Sequence, residues 1–317
     1  MLVRHLTDAQ DFDAILLVRD REARRRRDGG ESLRLVLGDR TGTVPAVLDD
    51  GGADVAALCP VGAPVHVTGR YAVHARHGGR LVLRSLRAAH ADEVDWTTLL
   101  DGPPRAAAQM EADLRELVST VQNAHLQALL DAVFGPDAAT WHAFRDAPAA
   151  KRYHQAYRHG LLEHSLTVAQ AVSAISATFP GIDRDVAVTG ALLHDIGKLE
   201  AYASHPPTIE MTDAGKLQGE ISLGYYRVRR LIEDLPGFPE ELAAAVLHII
   251  LSHHGLLEHG SPVVPCTREA TLVHMIDNLG GRLGSFDRLE KELPDGSRWS
   301  GYDRALGGGA YFAARAA

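Results

Sequence analysis

The hydrophobic period of this chain changes once, near residue 90, and no other feature constrains its fold as much. Before that point, short apolar runs and apolar–polar alternation predict strands with one buried face. Leu33–Leu37 reads LRLVL and Val65–Tyr71 reads VHVTGRY, and Phe12–Val18, Thr43–Leu48 and Leu81–Leu86 complete five short runs. Turn residues separate them at Gly38-Asp39-Arg40-Thr41-Gly42 and His77-Gly78-Gly79, and an Arg-rich, Gly-ended break follows Val18. After residue 107, apolar residues recur at three- and four-residue spacings, which predicts helices. These cover Ala108–Gln122, Ala124–Phe134, Leu161–Phe179, Asp185–Leu193, Lys216–Leu231, Glu240–Leu251 and Arg268–Leu283. Pro180-Gly181, Pro206-Pro207 and Pro236-Gly237 punctuate them.

Ala53–Leu58, between the third and fourth strands, predicts a short helix. Five strands with a helix in that place is the order of an OB-fold, a small β-barrel that binds nucleic acid; a generic small barrel without a ligand is the other reading. The expected organisation is multidomain. Residues 1–90 form the OB-fold domain, 91–150 a linker (with Asp101-Gly102-Pro103-Pro104) and helical segment, 151–285 an all-α helical bundle, and 286–317 a Gly-rich tail. In that tail, Tyr311-Phe312 follows the turn Gly307-Gly308-Gly309 and is placed to dock back onto the body.

An apolar fraction of 45% and a charged fraction of 23% are those of a soluble globular protein. The longest apolar runs fall well short of the ~20 residues of a membrane span, and MLVRHLTDAQ lacks a basic region followed by an apolar core. Two cysteines, Cys59 and Cys266, are too few for a disulfide framework, so a reducing, cytoplasmic setting is expected. The net charge of −8 hides an asymmetry: residues 1–90 hold 14 Arg and no Lys against 11 acidic residues, and the rest is strongly acidic. Arg24, Arg25, Arg26, Arg27, Arg34, Arg76 and Arg80 are the candidates for phosphate contacts; for Arg24–Arg27 a solvated hairpin tip is the alternative. OB-folds also stack bases on aromatics, and here only Phe12 and Tyr71 are available in residues 1–90.

Seventeen histidines are an anomaly, several of them within or beside apolar runs. Four segments stand out: Gly160-Leu161-Leu162-Glu163-His164-Ser165-Leu166; Leu192-Leu193-His194-Asp195-Ile196-Gly197-Lys198; Leu251-Ser252-His253-His254-Gly255; and His274-Met275-Ile276-Asp277-Asn278. A buried His beside a buried Asp is unfavourable unless both are paired or ligated. A divalent cation removes that penalty, because imidazole and carboxylate are its natural ligands. One His-Asp dipeptide is weak evidence. His, then His-Asp, then His-His, then Asp on successive apolar helices is strong evidence, because each helix offers an inward ligand as in helical-bundle metal sites. Such a metal with open positions suits hydrolysis of a phosphate ester. No cysteine cluster suggests structural zinc, and no Walker-type loop or GxGxxG after a strand is present. The remaining histidines have blander readings: His248 core or beside the site, His205 loop, His125, His142 and His259 surface or packing, and His66 and His74 half-exposed on strands.

The order H…HD…H…D is similar to that of the HD-domain phosphohydrolases, and the chain resembles the OB-fold plus HD-domain 3′-to-5′ exoribonucleases of the YhaM type. The resemblance rests on the segments above with Ala149-Ala150-Lys151 through Tyr157, Gly260-Ser261-Pro262, and the Leu33–Leu37, Gly38-Asp39 and Thr41-Gly42 pattern, and it covers roughly residues 10–285. It implies that His164, His194, Asp195 and Asp277 hold one metal. It also implies that Asp195 bridges to a second ion with His253 and His254 as further ligands, and that Lys198 contacts the substrate phosphate. Asp195, His194 and Lys198 are thus the expected catalytic residues. His154 lies on the approach to the site without an assigned role. Where two-metal HD proteins tend to have Gly-His-Ile, this chain has Gly219-Glu220-Ile221; Glu220 is expected to be a retained ligand, since carboxylate suits Mn²⁺ or Mg²⁺.

The leading expectation is a cytoplasmic, metal-dependent 3′-to-5′ exonuclease on single-stranded RNA, and on DNA as an extension, releasing nucleoside monophosphates. One or two divalent ions are expected; His-rich ligation favours Mn²⁺ over Mg²⁺, with Fe, Co and Ni as further options. An HD nucleotidase or cyclic-nucleotide phosphodiesterase is the first alternative. A non-catalytic nucleic-acid-binding protein with a structural metal is the second. No membrane partner is expected, and a homo-oligomer stays open.

Overall fold

The computed structural model describes residues 2–25, 31–49, 55, 57, 59–74, 78–151, 155–205, 208–291, 293 and 296–313. Arg26, Arg27, Arg76 and His154 lie outside these. The chain divides into two compact units, Met1–Asp101 and Gly102–Ala317. No helix among the described residues is long and apolar enough to cross a membrane.

In the first unit, β1 (Asp11–Arg25), β2 (Glu31–Asp39), β3 (Gly42–Leu48), β4 (Pro64–His74) and β5 (Gly78–Ala88) close a barrel in the order β1-β2-β3-β5-β4. All pairings are antiparallel except β3 with β5, where Ala46 faces Leu81 and Val47 faces Val82. This is the expected five-stranded OB-like barrel. The alternating apolar residues fill it: Leu33, Leu35 and Leu37 of β2 meet Val44, Ala46, Val65, Val67, Leu81 and Leu83. Between β3 and β4, Val55 and Ala57 are helical; the rest of Ala53–Leu58 lies outside the described residues.

The barrel differs from the sequence reading in two places. The Arg-rich segment after Val18 is not a break: β1 runs on to Arg25, pairing with β2 as far as Arg25 opposite Glu31. Its ladder hydrogen bonds hold polar residues extended outside the core, after a bulge between Val18 and Asp20. Phe12, counted among stacking candidates, is only 2% exposed and belongs to the core, so it presents no face to a base. Within the stretch read as linker, α1 (Trp96–Leu99) buries Leu99 and accepts a hydrogen bond from Arg40 N–H at the Thr98 carbonyl.

The second unit is helical: α2 (Ala107–Ser119), α3 (Ala124–Phe134), α4 (Trp141–Asp146), α5 (Gly160–Ser176), α6 (Arg184–Leu193), α7 (Lys198–Ala201), α8 (Asp213–Gln218), α9 (Glu220–Glu233), α10 (Glu240–Ser252) and α11 (Arg268–Lys291). A hairpin of β6 (Tyr202–His205) and β7 (Thr208–Met211) lies between α7 and α8. Helices α5 and α6 are central, and α10 and α11 pack against α6 in one core that includes Leu162, Leu166, Leu192, Leu193, Ile249 and Val273. The single helix expected over Lys216–Leu231 is two. Gly219, at φ +75°, ends α8 and opens α9, so Glu220 is the first residue of a new helix.

Candidate metal centre

Each segment singled out by its histidines reaches one buried point of the helical unit. His164 lies in the second turn of α5, His194 caps the end of α6 with Asp195 next, His253 caps the end of α10, and Asp277 lies within α11. His164 Nε2 is 3.1 Å from His194 Nε2, 3.2 Å from Asp195 Oδ2 and 3.1 Å from Asp277 Oδ1. His194 Nε2 is 3.3 Å from Asp195 Oδ2. His253 Nε2 approaches the other oxygen, Asp195 Oδ1, at 3.6 Å. All but Asp277 are buried, and its side chain is 19% exposed.

Outer hydrogen bonds fix the tautomers. His194 Nδ1 lies 2.7 Å from the Ala191 carbonyl, His253 Nδ1 2.8 Å from the Ile250 carbonyl, and His254 Nδ1 3.0 Å from the His259 carbonyl. A carbonyl only accepts, so each Nδ1 carries the proton and each Nε2 presents a lone pair. His164 Nδ1 faces Gln155 Oε1 at 3.0 Å in the same way. With these rings neutral, lone pairs and carboxylate oxygens converge on one point; without a metal, protons on His164 and Lys198 offset part of that charge. Among the described residues, buried Asp195 Oδ1 and His253 Nε2 have no hydrogen-bond partner. A divalent cation fits this donor set: two groupings have the spacing of shared ligands, His164 with His194 and Asp277, and His194 with Asp195 and His253.

The protonation balance has the same origin. Burial pushes the His164 imidazole down, but the carboxylates of Asp195 and Asp277 outweigh it and lift it to about 9. Burial works against Asp195 as an anion, yet Lys198, His194 and His164 hold its carboxyl well below the usual range. Asp277 is likewise held low against burial by His164. Lys198 Nζ sits 2.7 Å from Asp195 Oδ2, and this charge, with that of Glu220, keeps the ammonium charged despite burial. Lys198 is thus braced against Asp195, at the edge of the donor cluster.

Glu220 and His254 form a flanking pair, with Glu220 Oε1 3.4 Å from His254 Nε2. Burial opposes the charge on Glu220, while His254 and Lys198 favour it and leave its carboxyl below its ordinary value. The approach requires Gly197. A Cβ there would run into the Glu220 carbonyl oxygen and the Gly224 amide, so only glycine after Asp195-Ile196 lets α9 come this close. A cleft of about 190 Å³ opens beside the cluster, lined by His253, His254, His259, His274, Asp277 and Asn278.

Gln155, His274 and Asn278 lie in stretches the sequence singles out, without a role of their own there, and Tyr202 is not singled out. His274 Nδ1 donates to the His253 carbonyl at 2.8 Å, with its ring against Gly255, whose φ is +80°. Tyr202, held largely neutral by burial and by Glu220, stands behind Glu220. Of the other histidines, His248 Nε2 accepts from Cys266 N–H at 2.8 Å, His125 packs edge-on against Phe238, and His66 pairs with Asp13 on the barrel. Among the phosphate-binding candidates, Arg24, Arg34 and Arg80 are exposed on β1, β2 and β5. Arg24 pairs with Glu22 at 2.9 Å, and Arg25 ends β1.

The HD-domain family model matches residues 161–281, the span that contains His164, His194, Asp195, His253 and Asp277. The protein named 3′-5′ exoribonuclease YhaM of Geobacillus sp. (strain WCH70) is 30% identical over 293 residues, covering 92% of this chain and 88% of that protein. The protein of the same name from Bacillus subtilis (strain 168) is 30% identical over 287 residues, 90% of each. That of Bacillus velezensis is 32% identical over 269 residues, 84% of each. An HD-domain match laid over the histidine cluster, with identity running through the barrel as well, means that the chain belongs to the YhaM-type 3′-5′ exoribonuclease family, enzymes of the HD phosphohydrolase class.

Proposed function

We propose that this protein is a metal-dependent exoribonuclease that removes nucleotides from the 3′ end of single-stranded RNA and releases nucleoside monophosphates, working in the cytoplasm. The observation that carries this reading is the convergence of His164, His194, Asp195, His253 and Asp277 with orphaned buried acceptors, in a chain whose YhaM relatives match it from barrel to bundle. His164, His194, Asp195 and Asp277 would hold one ion; Asp195, His253, His254 and Glu220 would hold a second. A bound divalent ion supplies acidification of a coordinated water and neutralises phosphate charge. Imidazole-rich ligation with carboxylates favours Mn²⁺.

The protein's own groups do the rest. Lys198 keeps Asp195 ionised and in place, and its ammonium would offset charge on a bound phosphate from the edge of the donor cluster. His253 and His274 keep fixed tautomers through backbone carbonyls, so the cleft wall does not rearrange when charge enters. Exposed Arg24, Arg34 and Arg80 on the barrel would bind the strand's phosphates, with DNA as a second, weaker substrate.

Incubation with 5′- and 3′-labelled single-stranded RNA and DNA plus Mn²⁺, beside a panel of mono- and cyclic nucleotides, tests the reading. The expected result is a descending ladder from the 5′ label and immediate mononucleotide from the 3′ label, both lost in Asp195→Ala. Hydrolysis of the mono- or cyclic nucleotides alone would overturn it.

A further inference from the structure

Among the described residues of the barrel strands, stacking surface is meagre: Phe12 is buried, and half-buried Tyr71 lays its hydroxyl against Gly79. Phe179 and Tyr226 are exposed singly, but three exposed aromatics are gathered near the other end of the chain. Trp299, Tyr302 and Tyr311 are 61%, 77% and 49% exposed within thirteen residues of sequence. Trp299 and Tyr311 face each other across a β-bridge with ring centroids 5.1 Å apart. The backbone around them is built, not loose. Ser300 N–H donates to the Ala310 carbonyl and Phe312 N–H to the Arg298 carbonyl at 2.9 and 2.8 Å, and Ala310 is buried. The hairpin is strapped to α11 by the Arg288–Asp303 ion pair and by Phe312 packed edge-on against Phe286.

Helix α11 is also the helix that carries Asp277. Asp277 and Arg288 are eleven residues apart, which returns to the same helix face and spans about 17 Å. A stacked single strand covers that span in roughly five nucleotides. Along the way, a Cβ at Gly280 would meet no atom within 4 Å, so the helix flank is open there. Arg298, next to Trp299, and Arg304, in the turn of the same hairpin, are exposed, and among the described residues neither has a carboxylate partner, in a unit that is acidic as a whole. Aromatic faces with flanking cations are the chemistry that holds single-stranded nucleic acid without sequence preference.

We propose that the hairpin of residues 298–312 is a stacking subsite for the RNA strand upstream of its 3′ end, with Trp299 and Tyr311 as the base platform and Arg298 and Arg304 on the phosphates. This rests on the exoribonuclease reading above. The test compares 5′-labelled trinucleotide and 20-nucleotide RNAs in the intact protein, wild type against W299A/Y311A and W299F/Y311F, with sedimentation velocity on each. The expected result is a KM for the 20-mer raised at least tenfold in the alanine double variant and largely restored in the phenylalanine one. The trinucleotide, too short to reach the hairpin from the metal centre, keeps its KM and kcat. An unchanged 20-mer KM overturns the proposal. So does an equal loss on both RNAs, which would mean structural support of the centre, or a lowered oligomeric mass in W299A/Y311A, which would make the patch a contact between copies. Failure of the wild type to shorten either RNA overturns instead the reading on which the proposal stands.

Discussion

Asp195 turns its two oxygens to different neighbours, Oδ2 to His164, His194 and Lys198, and Oδ1 to His253. The protons around it set how the centre loads. With its imidazole lifted from 6.5 to about 9, His164 of the metal-free protein is cationic at pH 7.5, yet a metal ligand must be neutral. Loading Mn²⁺ at that pH should therefore release about one proton per ion bound at His164, falling toward none above pH 9. Calorimetry in buffers of different ionisation enthalpy measures this, and a binding enthalpy independent of buffer at pH 7.5 would contradict it. The sign for stability follows: His164 stabilises the metal-free fold fully below about pH 6.5, and this contribution is lost as pH rises through about 9. Glu220 admits a sharper test. If it ligates, Glu220→Ala lowers both metal content and turnover, by about 10–100-fold in affinity or rate. Elemental analysis beside kinetics decides it; lost turnover with full metal content assigns Glu220 another task.

The elements converge because of two short-range features, the helix ends at His194 and His253 and the glycine after Asp195-Ile196. Gly197→Ala should push α9 away from the turn, with a penalty of about 2 kcal/mol for overpacking against backbone. For a helical unit of this size that lowers Tm by about 4–8 °C, and turnover falls as Glu220 and His254 lose their spacing. A Tm within 1 °C of wild type with unaltered turnover would show that the contact yields freely. Much of this arrangement was legible. His194, Asp195 and His253 sit at the ends of apolar helical runs and His164 and Asp277 within them, where periodicity assigns both the helix and its inward face. What was not legible depended on partners distant in sequence. The extension of β1 to Arg25 comes from pairing with β2, not from its own polar residues. Phe12 on an apolar run gives no sign of whether it faces core or solvent. The four-residue strands β6 and β7 are too short to show a period, and the aromatic hairpin is held by single bridges to a helix more than ten residues away.

At the scale of the whole chain, charge does not divide as the N-terminal count suggests. The first unit extends to Asp101 and so takes in Asp92, Glu93, Asp95 and Asp101, giving 14 Arg against 15 acidic residues. Its overall field is thus near neutral, and any attraction for a strand must come from where the arginines lie. Glu93 is spent on Arg87, at 2.8 Å, and Asp95 on capping α1. Arg34 pairs in register with Val47, which pairs with Val82, two residues from Arg80, so Arg34 and Arg80 share the outer face of β2, β3 and β5. Arg24, two positions beyond Glu22, extends that face along β1. Each phosphate contact with a single strand contributes about −0.7 to the slope of log affinity against log salt. Replacing Arg24, Arg34 and Arg80 together by Gln should then flatten the slope by about 2 units and weaken RNA binding several-fold at low salt. Hydrolysis of a trinucleotide held at the metal centre should be unaffected. Anisotropy of a labelled 20-nucleotide RNA across a salt series measures it; an unchanged slope would place strand binding on the helical unit alone, with the hairpin of Trp299 and Tyr311 as its principal grip.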